Sequence, residues 1–240
     1  MKHTLYIYIA CLLTFASCQH DEMAVFEGRG QLCLELYRAG LPKMATRSAD
    51  SDLAVTILDS HGNVLEQYAA GEVPAKIVLE VGQFTVRAYT DNQSSWKTQN
   101  GGKGAGCYYA DTLITMQPDA QLNLVMEVPM TNYAATLRLP ETFGTLFSSY
   151  TFTLASGGRQ VTVTEGEKAY FDVADGGFTY SLRATNTDGN THSHSAILFP
   201  EVESGKLFTV HYDYASAATT GGVDIEITDN METDDNDIKI

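Results

Sequence analysis

Apolar and polar residues alternate along most of the chain. "LCLEL" at 32–36 sets leucines against Cys33 and Glu35. "LAVTIL" (53–58), "IVLEV" (77–81), "QFTVRAY" (83–89) and "LNLVMEV" (122–128) keep the same period. So do "ATLRL" (135–139), "YTFTL" (150–154), "VTVT" (161–164), "AYFDV" (169–173), "FTYSLRA" (178–184), "LFTVHY" (207–212) and "VDIEI" (223–227). A period of two puts one set of side chains on each face of a strand, so one face packs and the other stays wet. β-branched and aromatic residues dominate these runs, as a pleated, half-buried surface favours. Turn residues fall between them: Asp59-Ser60-His61-Gly62-Asn63, Ser156-Gly157-Gly158-Arg159 and Asp188-Gly189-Asn190. No apolar face of helical period and useful length appears. The pattern predicts an all-β chain built as sandwich or barrel.

The plan occurs twice. "VGQFTVRAYTDN" at 81–92 echoes "GGFTYSLRATNTDG" at 176–189. Each copy follows a strand, a turn and another strand, and each precedes a long loop and a final strand. The copies part near residues 128–132. Two tandem β-sandwich domains are therefore predicted, 30–129 and 130–228, each of an ordinary size for such folds.

One apolar run breaks the alternation. Leu5 to Phe15 follows Met1-Lys2-His3 and is too short to span a bilayer. It reads as a secretory signal peptide over residues 1–17. Phe15-Ala16-Ser17-Cys18 resembles the bacterial lipobox, in which the thiol is acylated and becomes the new N-terminus. Phe15 departs from the usual Leu or Val. The lipobox resemblance makes Cys18 the lipid attachment site, and two or more acyl chains would hold the protein stably on a bilayer. Asp21 and Glu22 follow in an acidic tether, 18–29. They read either as a surface-export signal of Bacteroidota-type lipoproteins or as a plain solvated linker.

Acidity narrows the partners. The formal net charge is −15, and removal of the leader takes away Lys2 and no acid. Nucleic acid and anionic lipid surfaces, which need clustered Lys and Arg, are not expected partners. Part of the charge lies in "DNMETDDNDIKI", an acidic tail over 229–240 without the ligand spacing and glycine of a calcium loop. Beyond Cys18 the mature chain keeps Cys33 and Cys107. An exported protein permits their disulfide, but sequence does not place them within bridging distance.

Catalytic patterns are thin. Ser94-Ser95-Trp96-Lys97 matches S-x-x-K but lies in a polar loop without the partners that motif needs. "GGKGAG" at 101–106 lacks the Ser or Thr and the helix of a phosphate loop, and reads as a mobile loop. His192 and His194 would need His211 or Asp213 as a third zinc ligand, and are expected to be solvated instead. No metal and no cofactor is expected, and the chain is not read as an enzyme. The binding candidates are aromatic. Trp96, Tyr108 and Tyr109 flank one loop that also carries Asn92, Gln93 and Asn100. Exposed aromatics with amides suit sugar rings or a protein partner. The alternative is that Tyr108 or Tyr109 opens a strand and packs inward. Asp111-Thr112-Leu113 resembles an O-glycan acceptor motif of such exported proteins, and reads equally as plain strand.

The order of lipobox, acidic tether, "GRGQLCLEL", "KMATRSAD", "LAVTILDSHGNVLEQY" and "VGQFTVRAY" resembles a family of uncharacterised Bacteroidota-type surface lipoproteins. "YAATLRLPETFGTLFSSYTFTL" and "GGFTYSLRAT" continue the likeness through the second half. The shared motifs are strand patterns, not catalytic signatures. The family looks distantly fimbrillin-like, which implies two transthyretin-like (Ig-like) sandwiches, an outer-membrane, cell-surface location and a role in adhesion or fimbria-like assembly. Fimbrillin precursors carry an Arg between their first two strands, where a trypsin-like protease cuts and frees the first strand. Arg47-Ser48 stands in that position here, and equally fits an ordinary exposed loop. The freed groove would accept a strand from another subunit by β-augmentation. "VDIEITDN" is the candidate donor. The rival reading is a surface glycan-binding accessory lipoprotein using the Trp96 loop.

Overall fold

The computed structural model describes residues 28–40, 52–213 and 222–228, with Asp213 and the last segment described by backbone alone. The expected leader, Cys18, Asp21, Glu22, Arg47, Ser48 and the tail 229–240 lie outside the described residues. The first half carries β1 (Arg29–Arg38), β2 (Ala54–Leu58), β3 (Val64–Tyr68), β4 (Ile77–Glu80), β5 (Gly82–Tyr89), β6 (Tyr109–Met116) and β7 (Gln121–Val128). The second carries β8 (Tyr133–Arg138), a one-turn helix α1 (Phe143–Leu146), β9 (Phe147–Ser156), β10 (Arg159–Val163) and β11 (Lys168–Phe171). It continues with β12 (Phe178–Asn186), β13 (Thr191–Ser193), β14 (Ile197–Phe199), β15 (Leu207–Asp213) and β16 (Gly222–Thr228).

These strands form two tandem β-sandwiches. In the first, the sheet β4-β1-β7 faces the sheet β3-β2-β5-β6. In the second, β11-β8-β15-β16 faces β10-β9-β12-β13, with β14 also on β12. The wiring repeats: the opening strand of each sandwich lies beside its closing strand, and that pairing is parallel. β1 runs parallel to β7 from Gln31↔Gln121 to Arg38↔Val128, and antiparallel to β4. β8 runs parallel to β15 and antiparallel to β11. Among the described residues the second sandwich adds β16, antiparallel to β15, and carries two short strands, β13 and β14, on β12 where the first has β6 on β5.

Local chemistry sets the turns. Between β2 and β3, the Asp59 carboxylate accepts hydrogen bonds from the backbone of His61 and Asn63, both 2.8 Å, and from Asn63 Nδ2 at 2.9 Å. Those bonds, Asn63's first, hold the carboxyl below its ordinary range. Gly62 supplies the positive φ of +83° that the turn requires.

Alternation then delivers two cores of different character. Leu32, Leu34 and Leu36 of β1 meet Val55, Ile57, Val86 and Met126 in an aliphatic cluster. The second cluster is aromatic. Tyr133, Phe171, Phe178 and Phe208 meet with ring centroids 5.7–6.1 Å apart around Tyr133. The Tyr133 hydroxyl, buried with its ring, donates to Ser156 Oγ at 3.2 Å, and Ser156 donates to Gly177 O at 2.9 Å. The first cluster reaches into the second sandwich through Ala134 and Leu207, so the two bodies share apolar contact.

Cys33 and Cys107, the cysteines among the described residues, are free thiols. Cys33 is half exposed on the outer face of β1, where Gln121 Nε2 approaches its sulfur at 3.6 Å. Cys107 is buried between the sandwiches, and burial pushes its thiol up to about 11. Cys33 is therefore expected to alkylate readily in the folded protein and Cys107 only on denaturation. Peptide mass mapping after a short iodoacetamide pulse checks this, and equal labelling of both would contradict it.

Candidate functional site

Tyr109 opens β6, and the loop between β5 and β6 carries Trp96 and Tyr108. Its own side chains shape it. Thr90 Oγ1 donates to Asn92 Oδ1 at 2.7 Å, and the backbone N–H groups of Ser95 and Trp96 donate to Asn92 O. Asn92 Nδ2 closes the far side on Gly106 O at 3.1 Å. Asn100 sits at φ +50° and Gly101 at +66°, and Asn100 Nδ2 donates to Gly104 O at 2.8 Å. Asn132, 3% exposed, clamps the end of the loop from the link between sandwiches. It accepts from Cys107 N at 3.0 Å and donates to Ala105 O at 2.9 Å.

The loop does not stand free. Trp96 is 7% exposed, which corrects the expectation of an open platform. Its ring lies 5.5 Å from the guanidinium of Arg159, on β10 of the other sandwich. The Phe171 ring lies 4.8 Å from the same guanidinium. Two aromatic rings thus flank one cation. Arg159 Nη2 donates to Lys103 O at 3.0 Å and to Tyr170 O at 2.6 Å. Tyr170 N donates to Lys103 O at 2.8 Å. "GGKGAG" is thereby tied across the junction rather than left as a mobile loop. Lys97 of the S-x-x-K match pairs with Asp175 at 3.7 Å. The loop is a latch between the sandwiches.

Lys103 Nζ also meets Glu167 Oε1 at 2.6 Å, and Glu167 Oε2 accepts from Thr164 N at 2.8 Å. These bonds, Lys103's first, lower the Glu167 carboxyl from 4.5 to about 2. Because the folded value is the lower one, the contribution is present above about pH 4.5 and is lost as pH falls towards 2. Glu167→Gln is expected to flatten the acid limb of urea midpoints plotted against pH. The effect is small and fades in salt, because the pair is partly solvated. An unchanged acid limb would remove the pair from the stability account.

Tyr108 and Tyr109 face opposite ways, as successive strand residues must. Tyr108 is 5% exposed and packs in the first core, with Arg38 5.4 Å from its ring centroid. Tyr109 is 36% exposed on the outer face of its sheet. Its hydroxyl donates to Asp111 Oδ2 at 3.0 Å, and Arg87 lies over its ring while bonding both Asp111 oxygens. Trp96, Tyr108 and Tyr109 therefore do not converge on one surface. Thr112 pairs with Val86 of the core across the ladder, so it is turned to the inner face and half buried. His192 and His194 stack edge-on against different rings, Phe147 and Tyr212. Among the described residues no three His, Cys, Asp or Glu side chains gather as a metal site.

What sequence reading missed is a cavity of about 630 Å³ beside the latch. Arg38, Asp52, Tyr108 and the amides Asn92, Gln99 and Asn100 line it from the first sandwich, and Lys168 and Tyr170 from the second. Arg38 and Asp52 form an ion pair of 3.0 Å at its edge. No local pattern marks it, because its walls come from distant segments.

The family described as a domain of unknown function (DUF4493) matches residues 28–240. No curated protein matches the sequence. Among solved structures, a proposed cell adhesion protein from Bacteroides uniformis is similar at 12% identity, with 85% of this chain and 98% of that chain covered and a TM-score of 0.48. The tip fimbrial protein Mfa3 from Porphyromonas gingivalis is similar at 10% identity, over 83% of this chain and 99% of its own, at 0.45. The fimbrial anchor protein Mfa2 from the same organism is similar at 12% identity, over 83% and 97%, at 0.37.

Proposed function

The chain belongs to the DUF4493 family, a domain of unknown function, and from that premise we propose that it is a non-catalytic surface lipoprotein of cell adhesion or fimbria-like assembly. Cys18 is the anchor to the outer membrane in this reading, and Arg47-Ser48 is the processing point. The observation that carries the assembly part is the place of β1. It is the middle strand of a three-stranded sheet, flanked by β4 and β7. Its inward leucines cover Ile77, Leu79, Met126 and Val128 of the core. The chain between β1 and β2 contains Arg47. Cleavage there severs β1 from every later strand and leaves it held by its ladders and side chains alone. Its departure would open an apolar groove with two strand edges, the kind of site that a subunit's strand fills by β-augmentation. The candidate donor, β16, is paired to β15 in this chain, so donation requires that hairpin to open.

Mass spectrometry of the N-terminus from native cells tests the reading. An acylated Cys18 start supports an anchored adhesin or anchoring subunit with an uncut loop. A start at Ser48 supports strand release and polymer assembly, and size-exclusion should then show concentration-dependent oligomers that Arg47→Ala abolishes. A start elsewhere, without acylation, overturns both the anchor and the processing.

A further inference from the structure

We propose that the cavity between the sandwiches is a binding site for a neutral saccharide. Its size, about 630 Å³, falls in the range of small-molecule sites, and a domain junction is where such sites concentrate. Among the described residues its charges balance: Arg38 and Lys168 line it with Asp52 and Asp91, and Arg38 is already bound to Asp52 at 3.0 Å. A phosphate or a polyanion would need an excess of cations, and the described lining residues offer none. Its apolar surface comes from Ala70, Ala105 and the rings of Tyr108 and Tyr170, interleaved with amides and charges, which suits a ligand with both apolar faces and hydroxyls rather than a wholly apolar one.

The polar groups suit hydroxyls, each of which donates and accepts at once. Asn92 is fully engaged inside the loop and shapes the wall. Three other lining residues keep free capacity. Gln99 uses its Oε1, while its Nε2 makes no hydrogen bond among the described residues. Asn100 uses its Nδ2, while its Oδ1 accepts none among them. Among the described residues the half-buried Tyr170 bonds through its backbone only, which leaves its hydroxyl to a ligand. Burial raises that phenol's pKa and keeps it protonated, able to donate as well as accept. A donor, an acceptor and a phenol are thus offered from both sandwiches around one space. The latch fixes their spacing, because Tyr170 and the loop are hydrogen-bonded through Lys103 O.

The inference does not need the assembly reading, but Arg38 at the end of β1 belongs to the cavity wall, so the test uses the uncut chain. The test is calorimetric titration of the full chain, in detergent, with neutral hexose and N-acetylhexosamine oligosaccharides from disaccharide to hexasaccharide. Sialyllactose and heparin fragments are the acidic controls. Saturable binding of a neutral series is expected. Tyr170→Phe and Gln99→Ala should each weaken it about tenfold, the loss of one hydrogen bond, with unfolding midpoints confirming that both variants fold. Ser95→Phe, an exposed wall position, should abolish binding by filling the space. No binding of any neutral series overturns the proposal. So does binding that all three variants leave unchanged, or preference for the acidic controls. None of these outcomes touches Arg47 processing, which is read separately by the N-terminus.

Discussion

Trp96→Ala is expected to lower the unfolding free energy by about 3–5 kcal/mol, the usual range for emptying a buried tryptophan site, and to separate one cooperative transition into two. The ring is nearly fully buried and is the chain's only tryptophan. It packs against Arg159, whose Nε is buried without a hydrogen-bond partner among the described residues. That cation depends on its two flanking rings and on the carbonyls of Lys103 and Tyr170. Removing the ring leaves a cavity and rewets one face of the guanidinium. The loop then loses its grip on the second sandwich, and the two bodies unfold with less mutual support. Urea titration followed by far-UV circular dichroism reads both effects. Trp96→Phe, which keeps an aromatic face, should retain most of the stability. A Trp96→Ala curve within about 1 kcal/mol of the parent would mean that the loop is a passive crossing and not a latch.

Leu32→Asp should have the larger local effect. Leu32 is 0% exposed in the middle strand of its sheet, between Ile77 on β4 and Leu122 on β7. A carboxyl there loses the leucine's burial and must sit desolvated without a partner, which is expected to cost more than about 4 kcal/mol. The first sandwich should unfold while the aromatic core of the second persists. Hydrogen exchange resolved by peptide would show protection lost across β1, β4 and β7 and kept across β9 and β12. Uniform loss of protection would show that the second sandwich cannot stand alone. Full protection everywhere would place β1 outside the stabilising core, and would weaken the argument that its departure opens a groove.

Strands such as β5 and β12 are legible in the sequence because alternation is a local property. "QFTVRAY" and "FTYSLRA" each show which residues face inward without knowledge of a neighbour. The Asp59 turn is legible for the same reason, since its donors lie within four residues. The doubling of the plan is visible because two local patterns recur in one order. β6 is harder: "YADTLITM" sets a polar Thr112 on the inner face and an apolar Leu113 on the outer one, and only its pairing with β5 shows which is which.

Trp96 shows where such reading ends. A tryptophan among amides and glycines looks the same whether water or another sandwich lies above it. Its partner, Arg159, is 63 positions away (159 − 96), and no period links the two. The parallel pairing of β1 with β7 is of the same kind, as is the cavity whose walls come from Arg38, Asn100 and Tyr170. Sequence by itself determined the alternating strands, their faces, the turns between them and the repeated plan, because backbone geometry and neighbouring side chains decide these, while β3, β6, β13 and β14 lack a clear alternation and are defined by the strands they pair with. Tertiary structure alone decided which strands adjoin, which aromatics are buried and where a cavity remains, because those depend on contacts between residues that the chain holds far apart.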